Sequence, residues 1–269
     1  MKKYKTMRTL GLVLMCVASL AVNAQTQDAI AHTLLVADYD YTCHTTDAQG
    51  EKKDVTYGLT LQVAPDMACT MGQKLHNGEN NRSEQLLYVP TTWQNYPQGK
   101  VTSLETIPPY RYLTTEKKAD TNWTLLSERD TICGYPCQKA TGQYGGRAWT
   151  AWFAESLPTR FGPWRLNGLP GLILRAVSDD GIHSFECSKV EAVKEPITYN
   201  VPEEDVMTCT RSKFVKLRNR LFGNPNYVSK PNYYIKPTEI KSMTVIGGTI
   251  IMGSVPIDMK PAHFQPLDY

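Results

Sequence analysis

The sequence lacks the short motifs that mark the common hydrolase, nucleotide-binding and zinc-protease sites. It has no Gly-x-Ser-x-Gly elbow, no phosphate-cradling glycine loop and no His-Glu-x-x-His pair. Its five histidines show no metal-ligand spacing, and His183, two residues from Phe185 in a strand-like run, is expected to be structural. We therefore predict no catalytic residue and no cofactor, and we favour a non-enzymatic role over an enzymatic one.

Apolar runs long enough to span a bilayer are also missing. The first 24 residues have the pattern of a secretory signal peptide, in which four basic residues precede an apolar run over 10–22 and Val22-Asn23-Ala24 is a small-residue cleavage site. Cys16 lacks a lipoprotein context, because Met15 precedes it and the apolar run continues past it. We predict an exported protein, either in the periplasm, associated with the outer membrane or secreted, with no membrane span in the mature chain.

The net positive charge disappears once this leader is set aside. The whole chain has a formal charge of +3, and the first 24 residues hold four basic and no acidic residues, so the remainder carries −1. A nucleic acid or an anionic membrane surface therefore finds no general electrostatic attraction. Residues 25–269 contain no linker, repeat or low-complexity tract, which predicts one domain.

The mature chain holds six cysteines, an even number that favours up to three disulfides in an exported protein. A Gly-Tyr-Pro bend offers the shortest closure, and the order of the elements suggests two further pairs. The sequence does not decide the connectivity, and buried free thiols are the alternative. The candidate pairs are Cys133–Cys137, Cys43–Cys69 and Cys187–Cys209.

Alternating apolar and polar residues recur in runs of strand length. The clearest run is 55–63, where the apolar residues share one face. Gly145-Gly146 and Asp179-Asp180-Gly181 each separate two such runs, as the turns of β-hairpins do. We predict a mainly β fold, a curved antiparallel sheet of the meander or half-barrel kind with one face on a core.

One segment breaks the strand pattern. After Pro202, apolar residues recur at helical spacing over 203–222, with acidic residues in the first turn, basic residues in the last and Gly223 beyond. This charge order complements the helix dipole. We predict one C-terminal amphipathic helix packed on the sheet, followed by one or two short strands within 244–257.

The stretch from Trp152 to Ala176 is the most densely punctuated by glycine and proline. Leu169-Pro170-Gly171-Leu172 has the pattern of a type II turn, in which Gly171 supplies a positive φ. The apolar run after the turn is expected to enter the core. The turn has two open interpretations, one purely structural and one functional. In the functional one it also presents the rim of a ligand or partner site, formed by Trp152, Arg160, Trp164 and Arg165.

The same stretch carries a family resemblance. The motif Gly168-Leu169-Pro170-Gly171-Leu172-Ile173, preceded by Gly162-Pro163-Trp164, resembles the signature of the GLPGLI family of exported Bacteroidetes proteins. The similarity is close over residues 130–195. It implies an exported protein, and it assigns no catalytic residue. The six motif residues are expected to define backbone and core.

Three functional hypotheses follow. The first is a structural or partner-binding envelope protein, because the fifteen tyrosines and five tryptophans suit an interface. The second is a carrier of a lipid-like or hydrophobic ligand within the curved sheet, with a fully packed interior as its alternative. The third is a copper-handling site at Met67, Cys69 and Met71, which share one face of an extended segment. A disulfide at Cys69 would exclude this third hypothesis.

Overall fold

Strands dominate the structure. The computed structural model describes residues 28–46, 51–73, 89–107, 110–202, 206–222, 243–246, 249–252 and 266–268. Within these ranges there are sixteen strands and one helix, α1, Arg211–Phe222. The strands are β1 Ala29–His32, β2 Leu35–Thr46, β3 Lys52–Val63, β4 Ala68–Gly72, β5 Thr91–Gln94, β6 Lys100–Ile107, β7 Tyr110–Lys117, β8 Asn122–Ile132, β9 Tyr135–Tyr144, β10 Arg147–Ala154, β11 Leu172–Ser178, β12 His183–Glu191, β13 Pro196–Thr198, β14 Val206–Thr210, β15 Met243–Ile246 and β16 Thr249–Met252.

Twelve of these strands form one curved sheet, in the order β14-β7-β6-β5-β4-β3-β2-β12-β11-β10-β9-β8. Two meanders, β2 to β7 and β8 to β12, join through the antiparallel pair of β2 and β12. Neighbours are antiparallel except for β14, which pairs with β7 in parallel. The predicted mainly β fold with an antiparallel meander and one packed helix is confirmed.

The hairpins follow the turn chemistry of the sequence. Gly145 and Gly146 join β9 to β10 with φ of 61° and 83°, as a type I′ turn requires. Gly181 has φ 70° in the turn between β11 and β12. These positions confirm both predicted hairpins, since glycine adopts a positive φ at little steric cost.

The inner face of the sheet is apolar in one half and polar in the other. The main core gathers buried side chains from β2, β3, β10 and β12, and full burial of one such side chain contributes about 1.5–3 kcal/mol. The inward positions of β5 to β7 hold buried hydroxyl, amide and carboxylate groups instead. On β2, β3, β10 and β12, the largest fully buried side chains of the main apolar core are Tyr39, Tyr41, Leu59, Leu61, Trp149, Phe153 and Phe185.

The helix is shorter than its sequence pattern predicted. Residues 206–210 form β14 on the open edge of β7, and α1 begins at Arg211. Three of these five residues are β-branched, which suits a strand, and the edge of β7 offers hydrogen-bond partners that an isolated helix start lacks. The Thr210 hydroxyl accepts the backbone N–H of Lys213 at 3.4 Å, as an N-cap does. The predicted acidic first turn, 203–205, lies outside the described residues.

Candidate functional site

The glycine- and proline-rich stretch forms a closed loop on the inner face of the sheet. A β-bridge joins Phe161 to Asn167, and the Leu166 N–H donates to the Pro163 carbonyl at 3.2 Å. Trp164 has φ 57° and Gly168 has φ 104°. Such a φ is unfavourable for a side chain as large as tryptophan, so the loop must be held by its surroundings.

The predicted type II turn at Gly171 is wrong, because the positive φ lies at Gly168. Gly171 is required for a different reason. A Cβ at this position would lie 2.2 Å from the carbonyl oxygen of Ala154, at the end of β10. The absence of a side chain therefore permits the close approach of two backbone segments.

Trp164 and Arg165 are buried, so the prediction that they form a rim is wrong for both. Trp164 packs edge-on against Tyr144 at 5.5 Å between ring centroids and lies 6.1 Å from Trp149. The side-chain amide of Gln94 donates to the carbonyls of Gly162 and Trp164, at 2.8 and 3.0 Å. The two residues therefore fix the loop against both halves of the inner face, Trp164 in the apolar half and Arg165 in the polar half.

Arg165 is the first member of a buried ion network. Its guanidinium donates to Glu105 at 3.0 Å and to the Ser103 hydroxyl at 2.6 Å, both on β6, and it also pairs with Glu116 on β7. Its side chain is 1% exposed. A charge so deeply buried is stable only when it is paired, and here two carboxylates pair it.

The network continues into α1. Arg211 pairs with Glu105 and with Asp268, and Arg218 pairs with Asp268 at 3.0 Å. Burial by itself would raise the pKa of Asp268, but the charges of Arg211, Arg165 and Arg218 outweigh it and lower that pKa to about 2. Three arginines thus face three carboxylates, and the network ties the closed loop to the helix.

Trp152 lies apart from the loop, on the outer face of β10. The guanidinium of Arg175 lies 5.3 Å from the centroid of its ring, and the ammonium of Lys139 lies 5.9 Å from it. Arg175 also pairs with Glu186 and Asp130. The structure therefore does not bring Trp152 and Arg160 together as one rim.

Arg160 lines an apolar cleft, which we call the Phe161 cleft. It has a volume of about 500 Å³ and lies at the end of the sheet where β2 begins and β3 ends. Leu34, at its edge, is 59% exposed. The apolar lining residues are Leu34, Leu35, Val63, Ala64, Pro65, Pro158, Phe161 and Pro170, and the polar ones are Asp66, Asn95, Lys118, Thr159 and Arg160.

A second depression lies at the opposite end of the β2–β3 hairpin. It has a volume of about 700 Å³ and is lined by His44, Thr45, Lys52, Asp54, Asp180, Gly181 and Ile182. The His44 and Asp54 side chains, 46% and 58% exposed, pair there at 2.8 Å. Five of its seven lining residues are polar or charged, so the Phe161 cleft, with mostly apolar lining residues, is better suited to an apolar ligand although it is smaller.

His183 is buried, and both of its ring nitrogens have a hydrogen-bond partner. Its Nε2 lies 3.1 Å from the Pro266 carbonyl and its Nδ1 lies 2.9 Å from the Tyr41 hydroxyl. Because a carbonyl only accepts, Nε2 carries the proton and Nδ1 accepts from Tyr41. Burial, with a smaller effect of the Arg147 charge, lowers the pKa of His183 to about 3.

This His183 pKa predicts an acid-sensitive fold. An unfolded histidine titrates near pH 6.5, so the contribution of His183 to the free energy of unfolding is fully present above about pH 6.5. It loses about 1.4 kcal/mol per pH unit below that, down to the folded pKa. Equilibrium urea unfolding from pH 7 to pH 4.5 should show a fall of about 2–3 kcal/mol. Asp268 adds its own loss only below its unfolded pKa of about 3.8.

The variant His183→Gln provides the control, since its amide can still donate to the Pro266 carbonyl but does not titrate. Its unfolding free energy should vary with pH less than that of the wild type over the same range. An equally steep profile in both proteins would assign the acid sensitivity to other groups.

Two of the three cysteine pairs that the sequence suggested lie far apart in this structure. Cys43 belongs to the main core, whereas Cys69 packs in a separate cluster with Met67 and Trp93. Cys43 pairs with Val55 of β3, and Cys69 pairs with Gln62 of the same strand. Because Val55 and Gln62 are seven positions apart, Cys43 and Cys69 lie on opposite faces of the sheet and far apart along it. Six strands separate β12, which carries Cys187, from β14, which carries Cys209. All six described cysteines are free thiols in this structure.

Cys133 lies beside Cys187 instead. Its thiol donates to the Cys187 carbonyl at 2.8 Å, and burial together with the Cys133 thiol raises the pKa of Cys187. Cys137 instead donates to the carbonyl of Tyr135, at 3.3 Å. The structure therefore favours Cys133 with Cys187 over each of the three pairs that the sequence suggested.

We expect oxidised glutathione to link Cys133 to Cys187. The exposed Cys133 thiolate attacks the glutathione disulfide and releases one glutathione, and the Cys187 sulfur then displaces the second, so the two electrons pass to glutathione. Peptide mapping without reduction should find this link. The variant Cys133→Ser should leave Cys187 reduced, and a Cys133–Cys137 link in the wild type would contradict the prediction.

The candidate copper ligands lie on β4 and just before it. Cys69 is fully buried, Met67 is nearly so, and Met71 packs against their cluster, which includes Trp93 and Ile197. The shared face is as predicted, but burial raises the pKa of the Cys69 thiol, which disfavours the thiolate that a metal would need. The described His, Cys, Asp and Glu residues include no group of three or more that could hold a metal ion.

The Phe161 cleft contains residues that the sequence did not single out. Leu34 lies immediately before β2, and a leucine next to a strand is usually counted as core. Phe161 lies in the motif stretch but received no role. The network residues Glu105, Arg211 and Asp268 were also missed, because a single charge in a strand, a helix or a tail has no distinctive local pattern. Within the described residues, no helix has the length and apolarity to cross a bilayer.

Comparisons with known proteins find distant structural similarities. No protein family matches the chain, and no curated protein does. Two crystal forms of PNGF-II match 67% of this chain at 16% identity, with TM-scores of 0.45 and 0.44. The match spans only 33% and 32% of PNGF-II, about a third of its length.

Two further structures are similar over most of their own length. A LolA-superfamily protein from Nitrosomonas europaea matches 63% of this chain and 88% of its own, with 8% identity and a TM-score of 0.25. A protein described as an outer membrane lipoprotein-sorting domain, from Vibrio parahaemolyticus, matches 66% of this chain and 90% of its own, with 8% identity and a TM-score of 0.23. Similarities this distant carry no argument about what this chain binds.

Proposed function

We propose that this protein is an exported envelope protein of the GLPGLI type that acts as a non-enzymatic binding module, and that it holds a hydrophobic or lipid-like ligand in the Phe161 cleft. The observation that carries the proposal is the cleft itself, a concave apolar surface beside the motif loop with a large leucine exposed at its edge. Export is supported by the leader pattern of residues 1–24, which lie outside the described residues.

The shape and lining of the cleft suit such a ligand. Small-molecule sites are typically apolar concavities of about 300–1,000 Å³ with a few polar groups, and this cleft has about 500 Å³. Phe161, Pro158 and Pro170 from the motif stretch line it, together with Leu35 from the start of β2, Val63 from the end of β3 and Ala64 just after it. A ligand that covers Leu34 removes apolar surface from water, at about 25 cal/mol for each Å².

Two cations among the lining residues of the cleft share one carboxylate partner. Lys118 and Arg160 both pair with Asp120, at 2.7 and 2.8 Å, and Arg160 is 62% exposed. An exposed pair such as Arg160–Asp120 contributes little to stability, so Arg160 is able to exchange its partner for a polar ligand group. We therefore propose an amphiphilic ligand, with its apolar part in the cleft and its polar part near Arg160.

A fluorescence titration with the amphiphilic dye 1-anilinonaphthalene-8-sulfonate tests this proposal. We expect saturable binding to one site. Leu34→Ser should weaken binding about five- to tenfold, which corresponds to about 1–1.4 kcal/mol of lost apolar contact.

Leu125→Ser is the matched control, because Leu125 is comparably exposed, at 49%, but lies on the edge strand β8 away from the cleft. It should leave the affinity unchanged. Equal weakening in both variants, or none in Leu34→Ser, would show that the dye does not bind in the cleft. Export is checked separately, by sequencing the N-terminus of protein recovered from the envelope, which should begin at Gln25.

A further inference from the structure

Residues 266–268 cross the inner face of the sheet as a bound peptide. They belong to no strand or helix, and Leu267 and Asp268 are 5% and 7% exposed. Their hydrogen bonds come from side chains on β10, β12 and α1, which lie between 50 and 119 positions earlier in the chain than the groups they bind. Three successive residues are thus bound by a surface that is assembled from distant parts of the sequence.

Each of the three residues has its own recognition element. The carbonyl of Pro266 accepts from Arg147 Nη2 at 2.9 Å and from His183 Nε2 at 3.1 Å. The side chain of Leu267 enters the main apolar core. Backbone position and an apolar side chain are therefore both recognised, as in the binding of extended peptides by other proteins.

Asp268 provides a negatively charged carboxylate, which two arginines of α1 bind. Its carboxylate accepts from Arg211 Nη2 at 2.6 Å and from Arg218 Nη1 at 3.0 Å, and its backbone carbonyl also accepts from Arg218. Both arginines are nine-tenths or more buried. Arginine–carboxylate hydrogen bonds between charged groups are among the strongest in proteins.

Gly145 also contributes to the surface that binds residues 266–268. A Cβ on this residue would lie 2.8 Å from the Cβ of Asp268 and 3.4 Å from the ring of Trp164. The glycine of the β9–β10 turn thus leaves the space that the peptide backbone fills. This surface therefore has space for a peptide backbone, and its arginines provide the positive charge that binds a carboxylate.

We infer that the groove formed by Gly145, Arg147, His183, Arg211 and Arg218 is a peptide-docking site for the sequence Pro-Leu-Asp, which residues 266–268 occupy here and which the same sequence can occupy in trans. All the recognition contacts come from the groove, so the covalent link between the segment and the rest of the chain supplies only a high effective concentration. A free peptide should therefore compete once the chain's own segment is weakened.

The full-length variant Asp268→Asn tests the inference, with a fluorescent peptide of sequence Gln-Pro-Leu-Asp-Tyr as the probe. The variant's own segment lacks the carboxylate, so the peptide should bind it saturably and at least tenfold more tightly than it binds the wild type, whose groove is filled. A Gln-Pro-Leu-Asn-Tyr peptide should bind at least tenfold more weakly than the probe. The conservative variant Asp268→Glu should resemble the wild type.

The peptide-binding result for Asp268→Asn distinguishes a docking site from a purely structural segment. If a folded Asp268→Asn variant binds neither peptide, or binds both equally, the segment has only a structural role and the inference is overturned. If the variant does not fold alone, it is refolded with each peptide and followed by circular dichroism. Recovery with the aspartate peptide alone supports the inference, and the absence of recovery at millimolar peptide overturns it.

Discussion

Replacing Gly171 by alanine is expected to lower the free energy of unfolding by at least about 3 kcal/mol, the upper range for overpacked sites. The new Cβ would lie 2.2 Å from the carbonyl oxygen of Ala154, 2.6 Å from its carbonyl carbon and 2.9 Å from the nitrogen of Glu155. These are backbone atoms, which cannot turn away as a flexible side chain can. The β10 end and the motif loop would have to separate, and equilibrium chemical denaturation would measure the cost.

Gly181→Ala separates the two reasons for which a glycine is required. Gly181 has φ 70°, but a Cβ there would meet no atom within 4 Å. It should cost only about 1–2 kcal/mol, the usual penalty of the left-handed conformation. If Gly171→Ala is as mild as Gly181→Ala, the close approach does not control the stability of the loop.

Arg165→Met is expected to cost about 3–5 kcal/mol, the usual effect of removing one partner of a buried ion pair. Methionine fills much of the same volume, so the loss reports the charge more than the packing. Without Arg165, the three carboxylates of the network face two arginines, and Glu105, itself 7% exposed, keeps only Arg211. A buried carboxylate with too few partners favours unfolding.

Arg160→Met is the matched control, because Arg160 lies five positions earlier in the same stretch and is 62% exposed. Its pair with Asp120 is exposed as well, so the substitution should cost no more than about 1 kcal/mol. Urea unfolding of both variants measures the contrast. Similar losses in the two proteins would show that the buried network does not stabilise the loop.

The strands and hairpins were predictable because their signals are local. The alternation in β3 identifies its inward face without knowledge of its neighbours, and Gly145-Gly146 specifies a hairpin by backbone conformation alone. The start of α1 was not predictable. Residues 206–210 fit a helical pattern on their own, and the edge of β7, nearly a hundred positions away, decides that they form a strand.

The candidate site shows the same limit. Arg165 and Arg160 are equally basic in the sequence, and nothing local tells that one is buried between Glu105 and Glu116 while the other is exposed at a cleft. Trp164 was expected at a rim, but its position in the core depends on Tyr144 and Trp149. Burial is a property of the assembled sheet, so local pattern does not reveal it.

By itself, the sequence determined what depends on neighbouring residues: the strand periodicity and the hairpin turns. Only the tertiary structure decided what depends on distant residues meeting. It showed that Gly171 is needed for close approach to Ala154, that Cys133 lies beside Cys187, and that Asp268 is held by Arg211 and Arg218. The physical reason is that turn geometry is set within a few bonds, whereas close contact and burial need the curved sheet to bring separate strands together.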